Sequence, residues 1–364
     1  MKRILNVVGA RPNFMKIAPI QRLMEDQSNS FEPVLVHTGQ HYDERMSKLF
    51  FEDLQLPEPD IYLGVGSGSH AEQTAKIMVE FEKICIEYKP DLVLVVGDVN
   101  STAACSIVAS KLWIPVAHVE AGLRSFDRKM PEEVNRVVTD ALSEYLFITE
   151  KSGMNNLAKE GVSSAKVHFV GNVMIDSLVF FLEKAKESKI LGELQLNGGD
   201  YALVTLHRPS NVDDKDNFLK IISAFKEIQQ NVTIVFPIHP RTKKNISSFG
   251  LESEVSKFAN LKLIEPVGYL DFMKLMQSCG FVLTDSGGIQ EETTYLGIPC
   301  LTLRENTERP ITTEIGTNEV VGTDTEKIIR LSHQIITGNW KKGQIPELWD
   351  GHAAERIVQV LKEN

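Results

Sequence analysis

The chain has 364 residues, 42% hydrophobic and 24% charged, with 24 Gly and 15 Pro; that length exceeds what one core usually serves, so two domains are expected, and neither a disulfide-stapled module nor a disordered chain fits. Lys plus Arg number 39 and Asp plus Glu 49, a formal charge of −10, which argues against nucleic acid or an anionic membrane as the main partner. Cys85, Cys105, Cys279 and Cys300 are scattered, with no Cys-x-x-Cys pair and no His cluster at zinc spacing, so four reduced thiols and no structural metal are expected.

Lys2 and Arg3 precede an apolar run that stops at Gly9, too short for a secretory leader. Nowhere do about 18 apolar residues follow one another, and the expectation is a protein that stays in the cytoplasm. From there short β-rich runs alternate with segments of helical period. Strands are expected over 4–8, 34–37, 61–65, 92–96, 116–119, 145–148 and 167–170, with helices over 14–24, 71–88, 101–112 and 132–143. Several strands read as unbroken apolar runs, as strands covered on both faces do. A polar, glycine-containing stretch over 188–200 reads as a linker. Beyond it strands are expected over 202–206, 232–236, 262–264, 281–284 and 300–303, with helices over 218–229, 270–277, 289–296 and 326–336. The pattern is α/β: two Rossmann-like, doubly wound parallel-sheet domains, which bind ligands at the carboxyl ends of their strands.

The chemistry-bearing residues cluster at those ends. Gly9-Ala10-Arg11-Pro12-Asn13 follows the first strand, with Lys16 in the first turn of the expected helix, and reads either as an anion site or as a turn with a solvated Arg. Gly64 to Gly68 imitates a dinucleotide fingerprint, but its spacing is wrong and it follows the third strand. Asp98 and Glu120 close two buried strands, where carboxylates serve as acid and base; Glu132 and Glu133, at a helix start, also read as caps. His207 and Arg208 close a strand of the second half and suit a diphosphate leaving group. Asp214-Lys215-Asp216 matches a metal pair formally but reads as a helix cap. Asp285-Ser286-Gly287-Gly288 between strand and helix is the stronger phosphate site, with Glu292 placed for ribose hydroxyls. Arg304, Glu305, Glu308 and Arg309 form a charged loop after the strand over 300–303.

Gly9-Ala10-Arg11-Pro12 with Lys16, Gly97-Asp98, His118-Val119-Glu120-Ala121-Gly122-Leu123-Arg124, Pro131-Glu132-Glu133-x-Asn135-Arg136, the run from Asp285 to Glu292 and Thr307-Glu308-Arg309-Pro310 together resemble the UDP-N-acetylglucosamine 2-epimerases, in order across nearly the whole chain. The resemblance implies a GT-B fold facing a central cleft. Residues 1–171 form the first domain, to which a helix over 351–364 returns, and 172–350 form a UDP-binding domain. It implies no cofactor and a reaction in which UDP leaves with the C2 proton, giving a 2-acetamidoglucal, and then adds back. Asp98, Glu120, Glu132 and His207 match catalytic residues; Arg11, Lys16, Phe272, Ser286, Gly287, Gly288, Glu292 and Arg309 match substrate contacts. Gln40 and His41 match part of a regulatory site, where Tyr42 departs from the usual Arg, and Ala10 and Asn13 replace the usual Thr and Glu. A homodimer serving polysaccharide synthesis is implied. The alternatives are a hydrolysing epimerase, a 2-epimerase for a modified sugar such as a diacetamido uronic acid nucleotide, and a GT-B glycosyltransferase.

Overall fold

The structure is a computed structural model that describes residues 1–39 and 58–364; Gln40, His41 and Tyr42 lie outside the described residues. The chain divides into two compact units, Met1–Val179 with Glu347–Asn364, and Phe180–Pro346.

The first unit carries β1 (Lys2–Val8), β2 (Phe31–His37), β3 (Ile61–Tyr62), β4 (Leu92–Val96), β5 (Val116–Ala121), β6 (Tyr145–Ile148) and β7 (Val167–Phe169), in the order β3-β2-β1-β4-β5-β6-β7 with every pairing parallel. Leu92 to Val96 is buried throughout, as a strand roofed by helices on both faces must be. Leu5, Val7, Val93 and Val95 meet Ile77 and Phe81 of helix His70–Tyr88 and Ala104 and Val108 of helix Asn100–Lys111 in one core. The chain order reverses between β1 and β4, so the loops after these two strands open at the switch point, where doubly wound folds bind ligands. Gly9 follows one and Gly97-Asp98 the other. Helix Ala353–Glu363 belongs to this unit: Asp176, on helix Val173–Ala185, caps it by accepting from the amides of Ala353 (3.2 Å) and Ala354 (2.7 Å).

The second unit carries β8 (Tyr201–Thr205), β9 (Thr233–Pro237), β10 (Leu261–Ile264), β11 (Phe281–Thr284), β12 (Cys300–Thr302) and β13 (Asn318–Val320), ordered β10-β9-β8-β11-β12-β13 and again parallel. Its switch point lies between β8 and β11, ahead of His207-Arg208 and of Asp285 to Gly288. Both units are thus doubly wound, Rossmann-like sheets, the fold class expected.

Several details differ from the sequence reading. The strand expected over 61–65 stops at Tyr62, because Gly64 and Gly66 adopt positive φ of 65° and 70°. The stretch over 188–200 holds a short helix, Ile190–Glu193. β13 escapes notice because three residues carry no readable period. Helix Val173–Ala185 escapes because apolar residues occupy most of its sides. The four cysteines are free and buried, and no helix among the described residues is long and apolar enough to cross a membrane.

Candidate active site

In the first unit, β4 is followed by Gly97, whose φ is 69° and where a Cβ would lie 3.0 Å from Lys16 Nζ. Only glycine gives the chain that turn and that close approach. The Gly97 amide donates to the Val119 carbonyl at 3.1 Å, which sets Asp98 beside the end of β5. There Glu120 has a φ of 72°, unusual for a residue with a side chain, and the register against β6 shifts between Val119 and Ala121. A bulge of this kind re-aims a side chain, and such strain concentrates at functional sites. Glu120 is buried; its Oε2 lies 2.5 Å from Lys16 Nζ, and its Oε1 accepts no hydrogen bond from a described residue.

The helix carrying Lys16 starts at Arg11, with Pro12 in its opening turn, three residues before the expected start. Lys16 therefore lies in the second turn and reaches Glu120 rather than the helix N-terminus. Helix Pro131–Leu142 grips the Asp98 side: Arg136 donates to Asp98 Oδ2 at 2.5 Å, and Asn135 Nδ2 donates to the Asp98 carbonyl at 2.9 Å. Glu132, half-buried in the first turn, sits one helical repeat from Arg136 on the same face. Glu133 turns the other way. It accepts from the Ser125 and Phe126 amides at 2.9 Å, from the Ser125 hydroxyl and from Arg136. Burial raises its carboxyl, but those donors outweigh burial and hold it below the usual carboxylate range. Glu133 is a brace, while Asp98 and Glu120 lie at the carboxyl end of the sheet and Glu132 opens the helix that holds Asp98.

Beneath them runs a buried polar chain. His118 Nε2 donates to the Gly97 carbonyl at 2.8 Å and Nδ1 meets Asp140 at 2.6 Å, while Asp140 accepts from the Gly122 amide at 3.0 Å and from Arg124 at 2.7 Å. Burial pushes the Asp140 carboxyl up, yet His118 and Arg124 overcome it and hold it low. The turns after Asp98 and Glu120 are thereby fastened to one frame.

In the second unit, helix Gly287–Leu296 begins without a side-chain cap, since the Ser286 hydroxyl accepts no hydrogen bond from its first amides. The first amides of a helix without a cap are donors awaiting an acceptor, and the helix dipole favours an anion there. A Cβ on Gly287 would lie 2.9 Å from Arg309 Nη1, so glycine lets Arg309 approach the turn. Arg309 is held by Glu291 and Glu308, each at 2.8 Å, and Glu308 also pairs with Arg304. Glu292 is buried; burial first, and then the charge of Glu291, push its carboxyl up to about 8 against a weak contact from Tyr269 at 3.5 Å. His207 Nδ1 lies 2.9 Å from Asp285, whose carboxylate also accepts the Arg208 amide at 2.9 Å. Phe272 is half-buried on helix Tyr269–Ser278, packed against the apolar cluster that includes Tyr201 and Leu203. Asp214 caps helix Lys215–Ile228 through the Asn217 amide, as its place at a helix start suggests.

A profile of the UDP-N-acetylglucosamine 2-epimerase family matches residues 24–362. The chain belongs to this family. Among its family relatives, the UDP-N-acetylglucosamine 2-epimerase of Methanocaldococcus jannaschii is 45% identical over 98% of this chain and 97% of its own. The UDP-2,3-diacetamido-2,3-dideoxy-D-glucuronate 2-epimerase of Pseudomonas aeruginosa is 41% identical over 99% of each chain. The structure of the M. jannaschii epimerase in complex with UDP-GlcNAc and UDP superposes with a TM-score of 0.89 at 44% identity and full coverage of both chains. That of the Neisseria meningitidis epimerase bound to UDP-GlcNAc gives 0.88 at 32% identity, again with full coverage.

Sequence reasoning gives roles to Asp98, Glu120, Glu132 and His207; it quotes His118, Asn135, Arg136 and Asp285 within motifs without a holding role, and it does not name Asp140. The four-residue spacing from Glu132 to Arg136 is a signal that a helical-face argument can use. The others depend on contacts between distant strand ends.

Proposed function

We propose that this chain is a UDP-N-acetylglucosamine 2-epimerase, interconverting UDP-N-acetylglucosamine and UDP-N-acetylmannosamine. The hydrogen on C2 is not adjacent to a carbonyl, so its removal needs a leaving group. A carboxylate takes the C2 proton while the C1–O bond breaks and its electron pair leaves with the UDP oxygen, giving a 2-acetamidoglucal. Re-addition reverses the bonds: the UDP oxygen attacks C1, and a carboxylic acid delivers a proton to the opposite face of C2. Asp98, Glu120 and Glu132 supply the acid and base, and His207 assists the departing diphosphate. The helix turn at Ser286, Gly287 and Gly288, with Arg309, holds the phosphates, and Glu292 takes the ribose hydroxyls. Arg11, Lys16 and Phe272 complete the assigned contacts, and Gln40 with His41 stay assigned to regulation. A cytoplasmic homodimer feeding polysaccharide synthesis belongs to the same reading, on the strength of the family.

The observation that carries it is Glu120, a buried carboxylate in a strained conformation beside Lys16, one of whose oxygens accepts no hydrogen bond from a described residue. Proton transfer at carbon needs such a group, whereas holding a nucleotide does not. The 41% identity to the diacetamido-glucuronate epimerase favours one second reading, a modified sugar. The test is turnover of the purified chain on each nucleotide sugar: a kcat/KM at least about tenfold higher for UDP-N-acetylglucosamine supports the proposal, and the reverse order selects the modified sugar.

A further inference from the structure

Asp285 is wholly buried at the end of β11, and its carboxylate serves the loop after β8. The His207 amide lies 3.2 and 3.1 Å from its two oxygens; the Arg208 amide and Asn211 Nδ2 donate to Oδ2 at 2.9 and 3.2 Å. Asn211 is anchored in turn by the Leu303 carbonyl at 2.8 Å. Oδ1 faces His207 Nδ1 at 2.9 Å. A carboxylate receiving that many N–H groups is an acceptor only, so the proton between it and the imidazole belongs to Nδ1. The His207 side chain is 55% exposed, and Nε2 has no partner among the described residues.

We infer that Asp285 is a positioning residue that holds His207 in its Nδ1–H form, so that Nε2 is the nitrogen presented to a diphosphate. The identity of that ligand rests on the epimerase reading. The same residue opens the Ser286-Gly287-Gly288 turn, so the imidazole and the anion-holding amides are fixed through one side chain and its own backbone. A ring pinned at one nitrogen donates or accepts a proton at the other without rotating, as when a carboxylate orients a histidine beside a reacting group.

The tautomer is read by long-range proton–nitrogen correlation of the imidazole rings in the full chain, labelled with 15N-histidine and held at a pH above the ring's titration. His207→Gln assigns the signals among the nine histidines. The Nδ1–H pattern at His207 in the unsubstituted protein is expected; the Nε2–H pattern overturns the inference. Asp285→Asn is then expected to convert His207 to the Nε2–H form or to a mixture. It lowers kcat on UDP-N-acetylglucosamine by about 10²-fold or more, with KM within about threefold. An unchanged tautomer in that variant contradicts the role, and so does an unchanged kcat. Should Asp285→Asn not fold, the pattern of the unsubstituted protein decides alone. The ring signals need no substrate, so a protein that epimerises nothing refutes the proposed function while the tautomer result stands.

Discussion

Glu120 and Asp98 each pair with a cation from another element, Lys16 and Arg136 respectively, and charge-assisted contacts of this kind hold each carboxylate in place. Glu120→Gln and Asp98→Asn are each expected to lower kcat by about 10²-fold or more, the usual scale for a lost acid or base, while UDP still binds in a calorimetric titration. Near-normal turnover in either would remove that residue from the chemistry. Arg309→Ala acts on the other function, weakening UDP binding by about tenfold or more because a charge-assisted contact to phosphate is lost; an unchanged Kd takes Arg309 out of the site. At this scale the sequence displays the groups to which the proposal assigns the chemistry, since Asp98, Glu120 and His207 follow runs that read plainly as strands. It conceals their holders, because Arg136 meets Asp98 across 38 positions and Asp285 meets the His207 amide across 78.

Strands and helices with a clear apolar period are legible in the sequence: Leu92–Val96, Tyr145–Ile148 and Phe281–Thr284 lie where the pattern puts them. What the pattern lacks is set by contact. Gly122 has a φ of 76°, and a Cβ there would lie 2.5 Å from the Gly153 carbonyl oxygen, so the exit of β5 lies directly against helix Lys151–Lys159. Gly122→Ala adds both a strained backbone and a backbone collision, and a loss of at least about 2 kcal/mol in urea unfolding is expected. A loss below about 0.5 kcal/mol would mean that the two elements part easily. Helix Ala353–Glu363 takes its cap from Asp176, far away in sequence. Burial pushes that carboxyl up to about 6 against the pull of the two amides, which limits the gain at neutral pH. Asp176→Ala is accordingly expected to remove about 1 kcal/mol, and hydrogen exchange at Ala353 and Ala354 should quicken. Unchanged exchange at those amides would show that the cap does not hold the helix end.

Each unit has its own switch point, and the residues that the epimerase reading needs divide between them: carboxylates in the first, anion-holding amides and Glu292 in the second. The repeated alternation of strand and helix makes that division of labour legible in the sequence, whereas the low accessibility of Glu292 is not. Its folded carboxyl is raised from 4.5 to about 8, so its contribution to stability is fully present below about pH 4.5 and lost as pH rises through about 8. Glu292→Gln removes that penalty. In the ligand-free protein the variant is expected to gain on the order of 4 kcal/mol more at pH 8.5 than at pH 5, with weaker UDP binding; an equal effect at both pH values would show that Glu292 titrates normally. The proposed reaction removes the proton on C2 and returns one to the opposite face. Proton NMR of the protein with UDP-N-acetylglucosamine in deuterated water reads it in one tube. A lasting mixture of two UDP-sugars, both carrying deuterium at C2, is the predicted result. Epimer formed with the original C2 proton retained would contradict the account, and accumulation of UDP with free N-acetylmannosamine would show that water captures the intermediate instead.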